Sequence, residues 1–195
     1  DKITNRISVL STGLSIDPII VAQKAIPGLY NDITSTEIDN YLAETSAALT
    51  VEHPDYSNLA ARIKSNALHK ETPGFIIATK NLYEDGLLHK NYYEKVIQNS
   101  DEIESIIDYD RDYSFDYFAL TTLIRAYLLK FENRTIERPQ DLWMRVALTV
   151  SCDKFDINKV KETYNTLSSG MYTHATPTLF NSGLKMQQLS SCFLI

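Results

Sequence analysis

The chain has 195 residues, of which 44% are hydrophobic and 23% are charged, and its formal net charge is -6. This length allows one large domain or two small ones, and the composition is typical of a globular protein. The acidic balance and the scattered lysines and arginines argue against a broad nucleic-acid-binding face or attraction to anionic membranes. With two cysteines, no signal peptide and no apolar run near about 18 residues, we expect a cytoplasmic protein without a disulfide framework.

The first 73 residues are predicted to form a compact bundle of short amphipathic helices. The expected helices cover residues 1–14, 17–27, 35–52 and 54–71. Asp17 followed by a proline is typical of a helix start. Thr34 and Glu37 match a capping box, in which the hydroxyl and the carboxylate satisfy free backbone amides at the start of the third helix.

Pro73 and Gly74 mark the predicted boundary between two units. After them, helices are expected over residues 75–88, 92–107, 137–150 and 156–167, and residues 119–130 fit either a helix or a strand. The segment from Phe131 to Ile136 is predicted to be a hairpin that turns at Asn133. Residues 108–118 alternate acids with aromatics; a loop leading into a helix is favoured over a base-stacking platform, because the acids would repel phosphates.

The last stretch, from Tyr172 to Ile195, differs in pattern from everything before it. It contains hydroxyl residues, a proline and an Asn-Ser-Gly turn, and it ends in an apolar run. Leu189 to Ile195 is predicted to be a strand buried on both faces. Such a strand needs neighbours for its backbone hydrogen bonds, and the chain ends before supplying them. We therefore expect the sequence to be incomplete.

Common signatures of phosphate or metal binding are absent from the sequence. There is no Walker-type loop or dinucleotide fingerprint, and the four histidines are not spaced as a metal site. The hydroxyl and amide groups of the last stretch could bind a polyhydroxyl or phosphorylated ligand, but composition alone favours turn and capping roles. On the same basis Cys192 would be a buried core thiol.

Several strings, however, resemble the large catalytic subunit of class I ribonucleotide reductase. The most specific is His174 to Gly183 followed by Gln188 to Leu194. Further matching strings occur in the family's order at residues 53–56, 59–62, 68–72, 109–112, 137–140 and 144–145. The resemblance therefore covers nearly the whole chain.

The resemblance implies a mainly α fold that leads into the first strand of a ten-stranded α/β barrel, the rest of which is absent. Residues 1–73 would be an ATP-cone, residues 74–187 the helical N-terminal region, and residues 188–195 the start of the barrel. The cone senses ATP as activator and dATP as inhibitor, with Mg²⁺. The matching contact residues are Asp1, Lys2, Ser35, Asp39 and Lys70, and Ser35 stands where threonine is common.

Each contact residue of the cone also has a plain structural interpretation as a cap, an exposed acid or a solvated lysine. The family's cone begins with a basic hairpin that contacts the nucleotide, and nothing precedes Asp1 in this sequence. We therefore expect weak effector binding, or none, by this fragment.

In the last stretch, the resemblance assigns substrate binding to Thr176 and Ser191, and it makes Cys192 one half of a redox-active thiol pair. The substrate would be a ribonucleoside diphosphate, and a thiol pair can give the two electrons that its reduction consumes. The radical cysteine, the assisting glutamate and asparagine, and the partner of Cys192 lie outside this sequence, and the surroundings of Cys152 match no redox motif. As written, the chain is expected to be inactive.

The resemblance also implies partners: a second large subunit, higher oligomers with dATP, a radical-generating metal-containing small subunit, and thioredoxin or glutaredoxin. These residues would hold no metal or organic cofactor themselves. One alternative is a stand-alone ATP- or dATP-sensing module without catalysis, which would leave the last stretch unexplained. Another is a helical interaction module with chance likeness, which the spread of matching strings disfavours.

Overall fold

A computed structural model describes residues 2–151 and 155–194. In these ranges the chain forms eleven α-helices and one two-stranded sheet, so the expected mainly α class is confirmed. The helices are α1 (Lys2–Leu10), α2 (Pro18–Ala25), α3 (Ser35–Ala48), α4 (Asp55–Glu71), α5 (Phe75–Glu84), α6 (Lys90–Gln98), α7 (Ser100–Ile106), α8 (Tyr117–Thr122), α9 (Pro139–Val150), α10 (Ile157–Ser168) and α11 (Thr176–Asn181). The strands are β1 (Lys130–Phe131) and β2 (Arg134–Thr135), and short 3₁₀ turns occupy Ile26–Gly28, Leu49–Val51 and Tyr109–Ser114.

The chain divides into two compact units. The first contains the residues up to Glu71 together with Asp112–Thr122, and the second contains Thr72–Arg111 and the residues from Leu123 onward. This division falls between Glu71 and Thr72, close to the predicted boundary at Pro73. It also assigns a later segment, including α8, to the first unit, which the sequence pattern did not indicate.

Local capping signals fix the helix starts of the first unit. The Asp17 carboxylate accepts a hydrogen bond from the Ile19 amide at 2.9 Å, and a proline fills the first position of α2. The capping box is confirmed at α3: the Thr34 hydroxyl accepts from the Glu37 amide at 3.2 Å, and the Glu37 carboxylate accepts from the Thr34 amide at 2.9 Å. Each bond satisfies an amide that the first helical turn would otherwise leave free.

The apolar faces of α1 to α4 enclose the core of the first unit. Its members are almost fully buried and include Ile7, Val21, Leu42, Leu59 and Ile63. The later segment is fastened to α4 by polar contacts of Asp112, whose carbonyl accepts from the Ser65 hydroxyl at 2.9 Å and whose carboxylate lies 2.7 Å from His69 Nε2. A buried carboxylate needs such partners, because desolvation alone would destabilise its charge.

Helix α9 lies at the centre of the second unit. Every residue from Pro139 to Thr149 is buried, which is unusual for a helix that carries Gln140, Asp141 and Arg145. Its polar side chains have buried partners: the Gln140 amide oxygen, for example, accepts from the Tyr164 hydroxyl of α10 at 2.8 Å. The unit is therefore organised by buried polar contacts as well as by apolar packing.

The hairpin is confirmed, with Lys130 opposite Thr135 and Phe131 opposite Arg134. Its two turn residues, Glu132 and Asn133, have φ values of 48° and 63°. Two positive φ values in a two-residue loop are typical of a type I′ turn, whose twist suits the adjoining strands.

Several helices differ from the prediction, and two of the differences are instructive. The expected helix over residues 92–107 is interrupted at Asn99, where φ is -123° and ψ is 25°, and α7 follows directly. The Asn99 side chain donates to the Lys95 carbonyl at 2.8 Å, a local bond that competes with helix continuation. Helix α11 lies in the last stretch, where composition favoured turn and capping roles, although Pro177 near its start is a common helix-opening signal.

The prediction of a buried strand from Leu189 to Ile195 is wrong for residues 189–194, which are irregular. Phe193 is 68% exposed and Leu194 is fully exposed. Within the described ranges the sheet consists of β1 and β2, so no strand lies beside these residues to take their backbone hydrogen bonds. None of the described helices is long and apolar enough to cross a membrane.

Candidate functional site

Asp39 and Lys70, two of the expected effector contacts, lie side by side in the first unit. The Asp39 side chain on α3 is 2% exposed, and Lys70 Nζ on α4 lies 3.5 Å from its Oδ2 atom. Arg6 of α1 forms a second ion pair with the same carboxylate, through Oδ1. The carboxylate is thus buried between two cations that come from different helices.

Arg6 is a candidate residue that the sequence interpretation missed. The Asn66 side-chain oxygen, turned toward Arg6, accepts hydrogen bonds from its Nη2 and Nε atoms at 2.9 and 3.3 Å. The sequence contained one indication: Lys2–Leu10 of helix α1 includes no acidic residue, so an acidic partner for Arg6 had to come from outside these residues. It did not identify Asp39 as the partner. We refer to Arg6, Asp39, Asn66 and Lys70 as the Asp39 cluster.

The other expected effector contacts are less closely joined to this cluster. Ser35 is exposed as the first residue of α3, one helical turn before Asp39. Lys2 begins α1, but its side chain lies outside the described part of the structure, as does the whole of Asp1. The structure therefore brings together Asp39 and Lys70 and places Ser35 on the same helix as Asp39.

The expected substrate residues lie around α11 in the second unit. Thr176 begins this helix and is exposed, as are Ser191 and Cys192. The interpretation of Cys192 as a buried core thiol is wrong, because no neighbouring strand covers this segment in the described structure. The Ser191 hydroxyl lies 3.9 Å from the Cys192 sulfur.

Two side chains of α11 hold the segment that leads to Ser191. Thr178 Oγ1 donates to the Leu189 carbonyl at 3.0 Å, and Asn181 Nδ2 donates to the Gln188 carbonyl at 2.7 Å. The two bonds reach two adjacent carbonyls of the segment, so they fix both its distance from α11 and its direction relative to α11. The hydroxyl of Thr176 and the residues near Cys192 are thereby connected through one short helix.

Tyr127 is a further residue near Thr176 that the sequence did not single out. It ends a π-helical turn, Leu123–Tyr127, and its hydroxyl lies 3.5 Å from Thr176 Oγ1. Its ring packs on Phe180 of α11, with the ring centroids 4.8 Å apart. Single π-helical turns frequently occur at functional sites, because the extra residue redirects a side chain.

A buried polar network joins the start of the second unit to α9. The Asp141 carboxylate accepts from the Arg138 amide at 2.8 Å and from the Tyr109 hydroxyl at 2.7 Å. Burial raises the pKa of Asp141 to about 7, although both hydrogen bonds act in the opposite direction. The Arg138 guanidinium donates to the Thr72 hydroxyl at 2.9 Å and to the Thr72 carbonyl at 2.8 Å. This network anchors the chain directly after the first unit.

Among the residues in the described ranges, no three His, Cys, Asp or Glu side chains are grouped as a metal site. In the first unit, the cations of the Asp39 cluster have the charge that pairs with phosphate oxygens. In the second unit, the exposed hydroxyls near α11 are separate hydrogen-bonding groups.

Comparison with known proteins supports the resemblance. Residues 113–187 match the family described as ribonucleotide reductase, all-alpha domain. The whole chain aligns with ribonucleoside-diphosphate reductase large subunits, at 46% identity for that of Caenorhabditis elegans and at 44% for those of Arabidopsis thaliana and vaccinia virus strain Copenhagen. The chain belongs to the ribonucleoside-diphosphate reductase large-subunit family.

The alignments include 100% of this chain but 26%, 25% and 27% of the three relatives. The chain therefore spans about a quarter of the length of these large subunits.

Proposed function

We propose that this chain forms the N-terminal quarter of a large subunit that reduces ribonucleoside diphosphates to deoxyribonucleoside diphosphates for DNA synthesis. The observation that carries this proposal is the alignment of the whole chain, at 42–46% identity, with proteins named as large subunits of this reductase. A stretch of chance likeness would not extend through both compact units.

In this proposal Cys192 supplies reducing electrons to the substrate. Removal of the ribose 2′ hydroxyl as water requires two electrons, which two thiols provide when they become a disulfide. A solvent-accessible thiol suits this role, because an external dithiol must later reduce the disulfide by exchange. Cys192 is exposed, and the hydroxyls of Ser191 and Thr176, two residues that are also exposed, would bind the diphosphate.

Residues 1–73, most of which lie in the first unit, would be the regulatory ATP-cone. Phosphate oxygens of ATP or dATP would attract Lys70 and Arg6, and the buried Asp39 carboxylate would hold these two cations in place for them. Ser35 lies in the first turn of α3, where backbone amides favour an anion. Asp1 and Lys2 complete the proposed effector contacts. Mg²⁺ would be held mainly by the effector's phosphates, as is usual for this ion.

The proposed partners follow from the resemblance to the reductase family. A homodimer of large subunits, with higher oligomers formed with dATP, would work with a small subunit that generates the radical and carries the metal cofactor. Thioredoxin or glutaredoxin would reduce the disulfide that includes Cys192. These proteins and the substrates imply a cytoplasmic location.

The test is turnover by the full-length large subunit with its small subunit, CDP and thioredoxin. Cys192→Ser should abolish multiple turnover while leaving CDP affinity nearly unchanged, because the hydroxyl cannot form the disulfide. Ser190→Ala, at a neighbouring exposed residue, is the control and should retain activity. Sustained turnover by the Cys192→Ser protein would refute the role of this thiol, and absence of deoxyribonucleotide formation by the wild type would refute the proposed function.

A further inference from the structure

The second unit contains a buried ion pair between Glu137 and Arg145, and the proposed reaction gives this pair no role. The two side chains are 3% and 2% exposed, and Arg145 Nε and Nη2 reach the two carboxylate oxygens at 2.5 and 3.1 Å. Such a two-point contact fixes the orientation of both groups, as well as the distance between them. Few charged pairs in proteins are so completely removed from water.

Each member of the pair also holds a second part of the chain. Arg145 Nη1 donates to the Ser182 carbonyl at 2.8 Å, directly after the end of α11. The Glu137 carboxylate accepts from the Leu129 amide at 2.8 Å, two residues after Tyr127. The ion pair therefore links α9 to the C-terminal end of α11 and to the segment that follows the π-helical turn.

The two linked segments meet again at Thr176. Tyr127 contacts Phe180 through its ring and lies 3.5 Å from the Thr176 hydroxyl through its own hydroxyl. From α11, the bonds of Thr178 and Asn181 extend the connection to Leu189 and Gln188, and so toward Ser191 and Cys192.

We propose that Glu137 and Arg145 are positioning residues for the substrate: together they hold α11 and Tyr127 so that the Thr176 and Ser191 hydroxyls face one diphosphate. This inference rests on the proposed function, since it takes these two hydroxyls as the diphosphate ligands. The pair touches neither substrate nor reacting atoms. It acts through the Ser182 carbonyl on one side and the Leu129 amide on the other.

A charged pair at this position can fix the orientation of α11 as well as its distance from α9. Apolar packing would hold α11 against α9 but would allow it to slide, whereas the guanidinium fork and the carboxylate accept a narrow range of angles. A ligand held by several hydroxyls is sensitive to shifts of less than an ångström in their spacing. Loss of the pair should therefore weaken substrate binding before it affects the chemical step.

The experiment uses the full-length large subunit and CDP as the probe. Glu137→Gln and Arg145→Lys each weaken the two-point contact while nearly preserving side-chain volume. We expect at least about a tenfold rise in the KM for CDP, with kcat changed by less than about twofold. Amide hydrogen exchange at residues 182–189 should accelerate in both variants under conditions where the rest of α9 remains protected.

Tyr164→Phe is the matched control. It removes another buried polar contact of α9, the bond from the Tyr164 hydroxyl to Gln140, without involving α11. It should lower the unfolding temperature but leave the KM for CDP and exchange at residues 182–189 unchanged. If it changes both as much as Glu137→Gln does, the pair has only a general structural role and the inference is wrong.

Thr178→Val provides a milder variant if the two charge variants do not fold. It removes the bond to the Leu189 carbonyl and leaves the ion pair intact, so it should raise the KM for CDP and exchange near residue 189. An unchanged KM in this variant would contradict the positioning inference. If the wild-type protein binds no CDP, the proposed function fails, while accelerated exchange in the variants would still establish the positioning of α11.

Discussion

Lys70 Nζ lies 3.5 Å from Asp39 Oδ2, although the two residues are 31 positions apart in the chain. Arg6 reaches the same carboxylate from a third helix. The Asp39 side chain is nearly inaccessible to solvent, whereas the Arg6 and Lys70 side chains are 26% and 51% exposed. The three charges should therefore contribute unequally to the free energy of unfolding. A buried carboxylate depends on its partners, whereas an exposed cation can be hydrated instead.

Asp39→Ala should therefore destabilise the first unit more than Lys70→Ala does. We expect the free energy of unfolding to fall by about 2 kcal/mol for Asp39→Ala, since Arg6 loses its partner in a half-buried position. For Lys70→Ala the expected loss is below about 1 kcal/mol. Urea unfolding of both variants beside the wild type measures the difference, and equal losses would show that Asp39 is not the centre of the cluster.

A separate prediction concerns the start of α3, where two neighbouring hydroxyl residues have different roles: Thr34 caps the helix and Ser35 is its first residue. Thr34→Ala should lower the free energy of unfolding by about 1 kcal/mol, because the Glu37 amide loses its acceptor. Ser35→Ala, at the exposed first position of the helix, should change it by less than about 0.5 kcal/mol. Thermal unfolding checks both, and a larger effect of Ser35→Ala would mean that the hydroxyl of Ser35 contributes to the fold.

These helix starts could be predicted from the sequence because their interactions are local. Thr34 and Glu37 are three positions apart, and Asp156 similarly accepts from the Asn158 amide at 3.0 Å to begin α10. The hairpin at Asn133 was also predictable, since the turn residues themselves determine it. In each case the partner lies within one turn of the chain.

The clusters that join distant helices were not predictable in the same way. The contact of Arg6 with Asp39 depends on the packing of α1 against the other helices of the first unit, and no spacing in the sequence specifies it. The roles of Glu137 and Arg145 were hidden for the same reason, although both lie in strings that resemble the reductase family. The prediction of a strand at residues 189–195 was wrong for another reason. The apolar pattern there is typical of a buried strand, but a strand forms only beside another strand.

The buried Asp141 predicts an unusual dependence of stability on pH. Its pKa is about 7 in the folded chain, against an ordinary value of 3.8, so the folded state keeps a proton that the unfolded state loses between these values. The free energy of unfolding should therefore fall as pH rises from about 4 to about 7 and should level off above that range. Asp141→Asn removes this titration.

The measurement is the difference in unfolding free energy between the wild type and Asp141→Asn at several pH values. From pH 5 to pH 7 this difference should shift by about 2 kcal/mol in favour of the variant. Glu37→Gln is a useful contrast, because the hydrogen bonds from Thr34 lower the pKa of Glu37. Its effect should have the opposite sign and lie at more acidic pH. A pH-independent difference for Asp141→Asn would mean that Asp141 is ionised in the folded chain.

Thr176 allows a direct test of the proposed diphosphate site. In the full-length large subunit, Thr176→Ala should weaken CDP binding about tenfold, because a hydroxyl that contacts a charged phosphate contributes more than one that contacts a neutral group. Thr173→Ala is the control: Thr173 is exposed in the same stretch, and its hydroxyl donates to the neighbouring His174 carbonyl at 3.4 Å. Calorimetric titration with CDP should show a loss for Thr176→Ala alone. If cytidine without phosphates loses affinity to the same degree, the Thr176 hydroxyl contacts the nucleoside and the assignment of the diphosphate to this residue is wrong.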